Sequence, residues 1–450
     1  MVINKQTHIK NLYFEYLMAY VAWDTETTGL PVGYPVASQK NVHLFDISRL
    51  LSIAYVKYDA EGNEVDSDHM IVYPDDFIVD AVHIHGITPE HAKEYGLPFE
   101  EVYNRFLDSI KDCDTLVAHN SKFDESILMS ECYRRGFSVE PFKNFKFVCT
   151  HKMTLSTFLK PMKLGYLYAD LTGKELENAH NALADSRACG EVYHILRNYK
   201  RVLKPLGIKK IKLKASEVAS MIDKNRYCKP EDIVMNLWCK YSPDTFEGQT
   251  KEQIAIEAIN SSNVASELLA DAQKFVSKDS TAVEQKYRAV SNQLISKTNL
   301  SDKQKDAAKD YIRKTLYTNH GTRHESTTAK LNPDYIEDDT YYKYTVCVIE
   351  GTEYEIVGRI DRLIKDETGN LTLVEIKNRA NCLFKNVREY EEIQCQTYME
   401  MLNIESCRLV EQHNKDTCTH LLKRDKDGWQ TDILPKLKNF CEHFHSQLSK

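Results

Sequence analysis

The sequence is short of several things, and each shortage excludes something. No apolar run approaches the roughly 20 residues needed to cross a bilayer. Residues 11–23 come nearest, but Glu15 interrupts them and no signal peptide with a cleavage site precedes them. A membrane-spanning helix is therefore not expected. The 12 cysteines are scattered singly and none forms Cys-x2-Cys, which argues against a zinc ribbon. It favours reduced thiols in an intracellular compartment, cytoplasmic or nuclear. There is no internal repeat and no low-complexity block. Positive charge is not in excess either: the formal net charge is −7, so any nucleic-acid site has to be a local basic track on an acidic body. What is there is 450 residues, 42% hydrophobic and 28% charged. That is ordinary for a globular protein and long enough for two or three domains with their own cores.

The chain is organised around Tyr20-Val21-Ala22-Trp23-Asp24-Thr25-Glu26-Thr27-Thr28-Gly29-Leu30. An apolar, β-favouring run enters this stretch and a turn signal leaves it. On a strand, Asp24 and Glu26 are two apart and point to one face. Two carboxylates that close repel each other unless a cation sits between them. Alone, such a pair is as readily a solvated strand end. Leu116-Val117-Ala118-His119-Asn120 reads as a short buried strand, running into a helix that begins near Ser121, with Asn120 or Ser121 as cap and Asp124 in its first turn. His180 lies at the start of a later helix and Asp185 one turn in, with helical periodicity continuing through Val192, Ile195 and Leu196.

Asp-x-Glu on a first strand, His-Asn-x-x-Phe-Asp, and His-x4-Asp resemble the three motifs of the DEDDh (DnaQ-like) exonucleases. These are proofreading-type 3′→5′ enzymes with an RNase H-like fold. Ile84-His85-Gly86-Ile87-Thr88 matches a further segment of that family, and the likeness covers roughly residues 18–198. It implies that Asp24, Glu26, Asp124 and Asp185 hold two Mg²⁺ or Mn²⁺ ions, which prefer oxygen ligands. The metal pair activates water and stabilises the leaving oxygen. It further implies that His180 is the general base, since an imidazole ordinarily titrates near neutrality.

In chain order, residues 1–17 are an extension, and residues 31–46 a Pro/Gly-bearing insertion. Arg49 to Tyr58 and Glu64 to Tyr73 are strands joined by the turn signal Asp59-Ala60-Glu61-Gly62-Asn63. Residues 98–111 have helical periodicity, and residues 164–176 read as a linking segment. Tyr199 to Lys214 carries Lys200, Arg201, Lys204, Lys209, Lys210, Lys212 and Lys214 with no acid. Such a run is either a solvated face or a contact to phosphates. Residues 215–318 read as polar and mostly helical, with no proline after Pro243.

A second acidic set follows. Tyr354 to Ile364 reads as a strand carrying Asp361, then a turn containing Gly369, then a returning strand Leu371 to Lys377 on which Glu375 and Lys377 share a face. A structural salt-bridge cluster would give the same pattern. With Gly321-Thr322-Arg323-His324-Glu325 upstream and Gln394-x3-Tyr398 downstream, it resembles the PD-(D/E)xK nucleases of the λ-exonuclease and RecB-like branch, over roughly residues 310–413. The leading Pro of the name motif is absent, as is common in that branch. The resemblance implies one or two Mg²⁺ or Mn²⁺ ions on Asp361, Glu375 and Glu325, with Lys377 positioning or deprotonating water. Gln394 and Tyr398 would orient Lys377 or the phosphate. Some relatives carry an iron–sulfur cluster, but Cys382, Cys395, Cys407 and Cys418 lack the close pairing for one, so none is expected. The λ-type relatives form toroidal trimers; nothing in this sequence shows an oligomer.

The expected architecture is mixed α/β (α+β): an RNase H-like domain at 1–199, a basic linker at 200–230, and a helical region plus a restriction-endonuclease-like α/β domain at 231–450. The expected function is a bifunctional metal-dependent nuclease acting on DNA, on single strands or duplex ends, with Lys204, Lys209, Lys210, Lys212 and Lys214 touching phosphates. The N-terminal half would be a 3′→5′ exonuclease and the C-terminal half a second exonuclease, with its polarity left open and 5′→3′ as one option, in DNA recombination, repair or degradation. A viral or phage protein would suit that pairing. Two alternatives stand beside it: RNA as substrate, or one active domain with the other as a nucleic-acid-binding platform.

Overall fold

A computed structural model describes residues 19–277, 279–330 and 332–449. The 1–17 extension lies outside the described residues. The chain divides at Lys200/Arg201 into two compact units, both of mixed α/β composition.

The first unit holds a five-stranded sheet in the order β3-β2-β1-β4-β5. Its strands are β1 (Tyr20–Thr27), β2 (Leu50–Tyr58), β3 (Glu64–Ile71), β4 (Thr115–Ala118) and β5 (Lys146–Cys149). The helices are α1 (Val82–His85), α2 (Pro89–Tyr95), α3 (Phe99–Ile110), α4 (Ser121–Arg135), α5 (Thr150–Phe158), α6 (Leu164–Thr172) and α7 (Ala182–Arg197). The expected linking segment at 164–176 is therefore largely helical, because Leu167 and Tyr168 bury against Val192 and Leu196 of α7. β1, β2 and β3 form an antiparallel meander, and β4 and β5 add in parallel.

β1 is central and covered on both faces, which is why it reads as a nearly continuous apolar run. Tyr20 and Ala22 pack with Val56, Tyr58, Val117 and Cys189 of α7. Val21 and Trp23 join Phe106 of α3 and Ile127 and Leu128 of α4 on the other side. By the two-residue alternation of a strand, Asp24 and Glu26 fall on the α7 face and Thr25 on the α4 face.

In the second unit, α8 (Val218–Met221), α9 (Pro230–Tyr241), α10 (Lys251–Asn260), α11 (Asn263–Lys274), α12 (Ser280–Lys297) and α13 (Asp302–Ala329) precede most of the strands. The helices α10 to α13 share one core through residues such as Leu268, Val290, Ile312 and Leu316. A three-stranded sheet has the order β6-β8-β7, from β6 (Lys210–Lys214), β7 (Tyr342–Ile349) and β8 (Thr352–Gly358). A four-stranded sheet has the order β12-β11-β10-β9, from β9 (Arg362–Lys365), β10 (Leu371–Asn378), β11 (Ser406–His413) and β12 (Asp416–Lys423). α14 (Glu389–Leu402) and α15 (Leu434–Leu448) complete the unit.

Two expectations are corrected here. Residues 200–230 are not a linker: β6 pairs with β8 over Lys210–Lys214, and Ile211 and Leu213 are fully buried while the lysines between them stay exposed. The tract alternates, so it can bury one face of a strand although every second residue is charged. Residues 354–364 are not one strand. β8 ends at Gly358 and belongs to one sheet, β9 starts at Arg362 and belongs to the other, and Asp361 lies in the break between them.

Candidate active sites

β1 pairs with β2 along its whole length but with β4 only over Tyr20–Ala22. Beyond Ala22 the β4 side of the strand is open. Asp124, in the first turn of the helix that follows β4, fills that opening: its Oδ1 accepts from Thr25 N at 3.1 Å and Thr25 Oγ1 at 2.8 Å. Asn120 caps α4 in the left-handed region, with φ 74°, and its side chain makes no capping bond. On the other face, Asn181 caps α7 by accepting from Ala184 N at 3.2 Å. His180 takes φ 68°, a conformation that costs a residue with a Cβ roughly 1 kcal/mol or more. That turn aims the His180 backbone N–H at Asp185 Oδ2, 3.0 Å away.

The result is an acidic cavity. Asp24, Glu26 and Asp185 bring ligand oxygens within 4.8 Å of one another. Asp124 stands outside that trio because Thr25 pins it, yet all four acids line one cavity of about 270 Å³ together with His180. Burial first, then Asp124, Asp185 and Glu26, pushes the Asp24 carboxyl well above its ordinary range. Burial, Asp185 and Asp124 push Glu26 up to about 8, and burial raises Asp124 to about 7 against the pull of the Thr25 hydrogen bonds. Asp185 is also raised by burial, and its Oδ1 is buried with no hydrogen-bond partner. Mutually repelling acids with an unsatisfied buried oxygen have the chemistry of a cation-binding donor set. Hard carboxylate oxygens fit a divalent ion of the Mg²⁺ or Mn²⁺ kind.

Three residues that the sequence reading quoted only as parts of motifs have positions of their own in the site. Thr25, between the two acids, positions Asp124. His119 lines the cavity but is held neutral by burial, its pKa lowered to about 4, with Nδ1 on Thr150 Oγ1 and Nε2 on the Met162 carbonyl. Both ring nitrogens of His85 are engaged by backbone groups: the Ile87 N–H donates to its Nδ1 and its Nε2 bonds the Asp80 carbonyl. Both are positioning groups, unavailable as bases.

In the second unit β9 pairs with β10 only as far as Val374, so the Ile376 N–H faces an open edge; Asp361 Oδ2 accepts it at 2.6 Å. Lys377 Nζ donates to Glu375 Oε1 at 2.7 Å and to Gln394 Oε1 at 3.1 Å, and Gln394 Nε2 donates to the same Glu375 oxygen at 2.7 Å. Burial works to lower the Lys377 pKa, but Glu375 and Asp361 outweigh it, so the ammonium is held above its usual range. Burial and Glu375 push Asp361 well up. Tyr398, one turn after Gln394 on α14, lies against Gly358, where a Cβ would sit 2.8 Å from its hydroxyl. Glu325 on α13 faces Arg362, 3.5 Å away. Asp361, Glu375, Lys377, Gln394 and Tyr398 thus converge. Among the described residues, Glu325, Asp361 and Glu375 do not bring three ligand oxygens within 4.8 Å as the first set does, since Arg362 and Lys377 draw two of them aside.

Of the predicted phosphate contacts, Lys210 bridges Glu353 and Glu355, and Lys214 pairs with Glu217. Lys212 lies over the Tyr341 ring at 5.9 Å. Lys204 and Lys209 are exposed, and both use their backbone carbonyls inside the unit.

The chain thus carries two acidic centres, each built where a neighbouring strand stops short. Residues 21–193 match the exonuclease family model, and residues 258–425 match the PD-(D/E)XK nuclease superfamily model. The N-terminal half therefore carries an exonuclease domain and the C-terminal half a PD-(D/E)XK nuclease domain, and the chain is a hydrolase of the nuclease class. The second match begins well before residue 310 and takes in α11 to α13. No curated protein matches the sequence. Solved structures similar to it include E. coli exonuclease I in complex with a dT13 oligonucleotide, at 20% identity and TM-score 0.33 over 40% of this chain and 41% of that one. They also include an exonuclease I from Methylocaldum szegediense, at 23% identity and TM-score 0.33 over 41% of each chain. The chain spans about two fifths of the length of these relatives.

Proposed function

We propose that the chain is a bifunctional, divalent-metal-dependent nuclease of DNA. Its N-terminal site trims 3′ ends, and its C-terminal site is a second exonuclease of 5′→3′ polarity. Such a pair suits end processing, recombination or DNA degradation. The observation that carries this reading is the Asp24, Glu26 and Asp185 trio, with ligand oxygens within 4.8 Å and one of them buried without a partner.

At the N-terminal site Asp24, Glu26, Asp124 and Asp185 would hold Mg²⁺ or Mn²⁺. The metal supplies an activated water and stabilisation of charge on the leaving oxygen. His180, exposed at the rim of the same cavity, takes the proton of the attacking water. Its backbone N–H keeps one Asp185 oxygen turned toward the cavity rim, leaving Oδ1 for the cation. At the C-terminal site Asp361, Glu375 and Glu325 would hold the cation. Lys377, kept charged by Glu375, positions the water and meets negative charge as it develops on the phosphate. Gln394 fixes both Lys377 and Glu375, and Tyr398 backs Gln394. Lys204, Lys209 and Lys212 offer phosphate contacts, with Lys210 and Lys214 tempered by their acids.

The test uses 5′- and 3′-labelled single- and double-stranded DNA with Mg²⁺, comparing wild type, Asp24→Ala, Glu375→Ala and the double variant. Each single variant is expected to lose a different end-specific activity by at least about a hundred-fold, and the double variant both. Intact digestion by a folded Asp24→Ala, Glu375→Ala protein would refute both sites. If wild type shortens RNA and leaves DNA whole, the substrate assignment fails while the metal sites stand.

A further inference from the structure

Between α8 and α9, residues 223–229 form a tight, well-anchored loop. Asp223 takes φ 56° and accepts from Lys229 Nζ at 3.0 Å. Asn225 folds back onto Ser220 and accepts from the Tyr227 N–H at 3.0 Å. Lys224 ties the loop to α14 through Glu389 at 2.6 Å. These bonds hold an exposed aromatic in place. Tyr227 is 58% exposed, an unusual outlay for a fixed tyrosine that no packing requires. Its ring meets Tyr390 of α14 edge to face, centroids 6.0 Å apart. Arg226 covers it at 4.7 Å and donates to its hydroxyl. The groups that act on the Arg226 charge are Tyr227 and Tyr390, with no carboxylate among them.

Tyr390 places this cluster. It lies one helical turn before Gln394, the residue that holds Lys377 and Glu375, so the two share a face of α14. At the N-terminal end of α14, Arg388 stacks on the Phe384 ring at 4.5 Å; Arg379 lies over the same ring at 4.1 Å but is already paired with Glu391 and Glu411. Rings presented edge to face with free guanidinium charge, beside a phosphodiester-cutting centre, suit one kind of ligand. Bases stack on the rings irrespective of sequence, and phosphates meet the cations. A duplex, whose bases are already stacked, has no face to offer them.

We propose that Tyr227, Tyr390 and Arg226 form a base-stacking platform that receives a single strand of nucleic acid at the mouth of the C-terminal site. This rests on the reading of that site as a nuclease. It is tested in full-length protein carrying Asp24→Ala, so that only the C-terminal digestion is followed. Tyr227→Ala is expected to raise KM for a single-stranded dT oligonucleotide roughly ten-fold with kcat little changed, and Tyr227→Trp to restore it. In chelator, the new tryptophan is expected to be quenched by the dT oligonucleotide or by rU of equal length, and not by duplex. Whichever oligonucleotide quenches identifies the sugar. An unchanged KM for Tyr227→Ala, or a Tyr227→Trp fluorescence that ignores single strands or responds equally to duplex, overturns the platform. If Tyr227→Ala fails to fold, the tryptophan titration decides alone. Adding Glu375→Ala separates the two ideas: digestion that survives it refutes the nuclease reading, while the quenching still reports on the platform.

Discussion

Asp24, Glu26, Asp124 and Asp185 show how burial and mutual repulsion tune one small volume. Each carboxyl is raised, Glu26 from 4.5 to about 8 and Asp124 from 3.8 to about 7. The folded protein without metal therefore binds more protons than the unfolded chain between those lower and upper values. Stability falls as pH rises across that window and is fully present only below it. In chelator the melting temperature of the N-terminal unit is expected to drop by several degrees between about pH 5 and pH 8. Asp24→Asn should make the drop shallower, because it removes one of the raised acids, while abolishing digestion. Calorimetry over that pH range checks this; a melting temperature that stays level or rises contradicts it. Burial thus destabilises the cavity once its acids ionise, the pattern expected of functional rather than structural carboxylates.

Both sites use the same device at the level of elements. A neighbouring strand ends early, a backbone N–H is left facing an open edge, and a carboxylate from the next segment takes it. Thr25 and Asp124 do this beyond the end of β4, Ile376 and Asp361 beyond the end of β9. The buried N–H is satisfied, and the acid is fixed at the sheet edge. In the second unit the arrangement depends on the chain changing sheets at residues 359–361. Gly358 ends β8 there, with the Tyr398 hydroxyl and the Ala215 Cβ 2.8 and 3.1 Å from where a side chain would begin. Gly358→Ala is expected to overpack this junction at about 1–3 kcal/mol and to displace Tyr398. It should lower C-terminal digestion at least about ten-fold and leave Asp24-dependent digestion intact. Thermal melts with the two end-labelled assays measure this; wild-type C-terminal rates would show that Tyr398 has no part in the site.

On the scale of the whole molecule, the two units have separate cores and separate sites. Each has its own mixed sheets and helices, long enough to bury a core without the other. Residues 1–200 and residues 201–450, expressed separately, are expected to fold and to keep, respectively, the Asp24-dependent and the Glu375-dependent digestion within about ten-fold of the full chain. Circular dichroism and the labelled substrates check this. A residue 1–200 fragment that folds but cuts nothing would mean that the N-terminal site needs the second unit.

The amino-acid sequence by itself determined the local chemistry. Asp24 and Glu26 share a face because a strand alternates. Asp185 sits one turn into a helix because Asn181 caps it. Gln394 and Tyr398 lie a turn apart because α14 is helical. These follow from short-range periodicity and capping, which a linear pattern carries; it was the resemblance to two nuclease families that then singled out both acidic sets. Tertiary structure decided what depends on where neighbouring strands stop. Lys210–Lys214 became a sheet strand because β8 offered it a partner more than 130 residues downstream. The Tyr354–Ile364 run broke because its two ends serve different sheets. Thr25 came to hold Asp124, His119 was held neutral by burial, and Tyr227 was set beside Tyr390, through contacts between residues far apart in the chain. No periodicity encodes such contacts, because their energy is realised only when the separate elements are packed together.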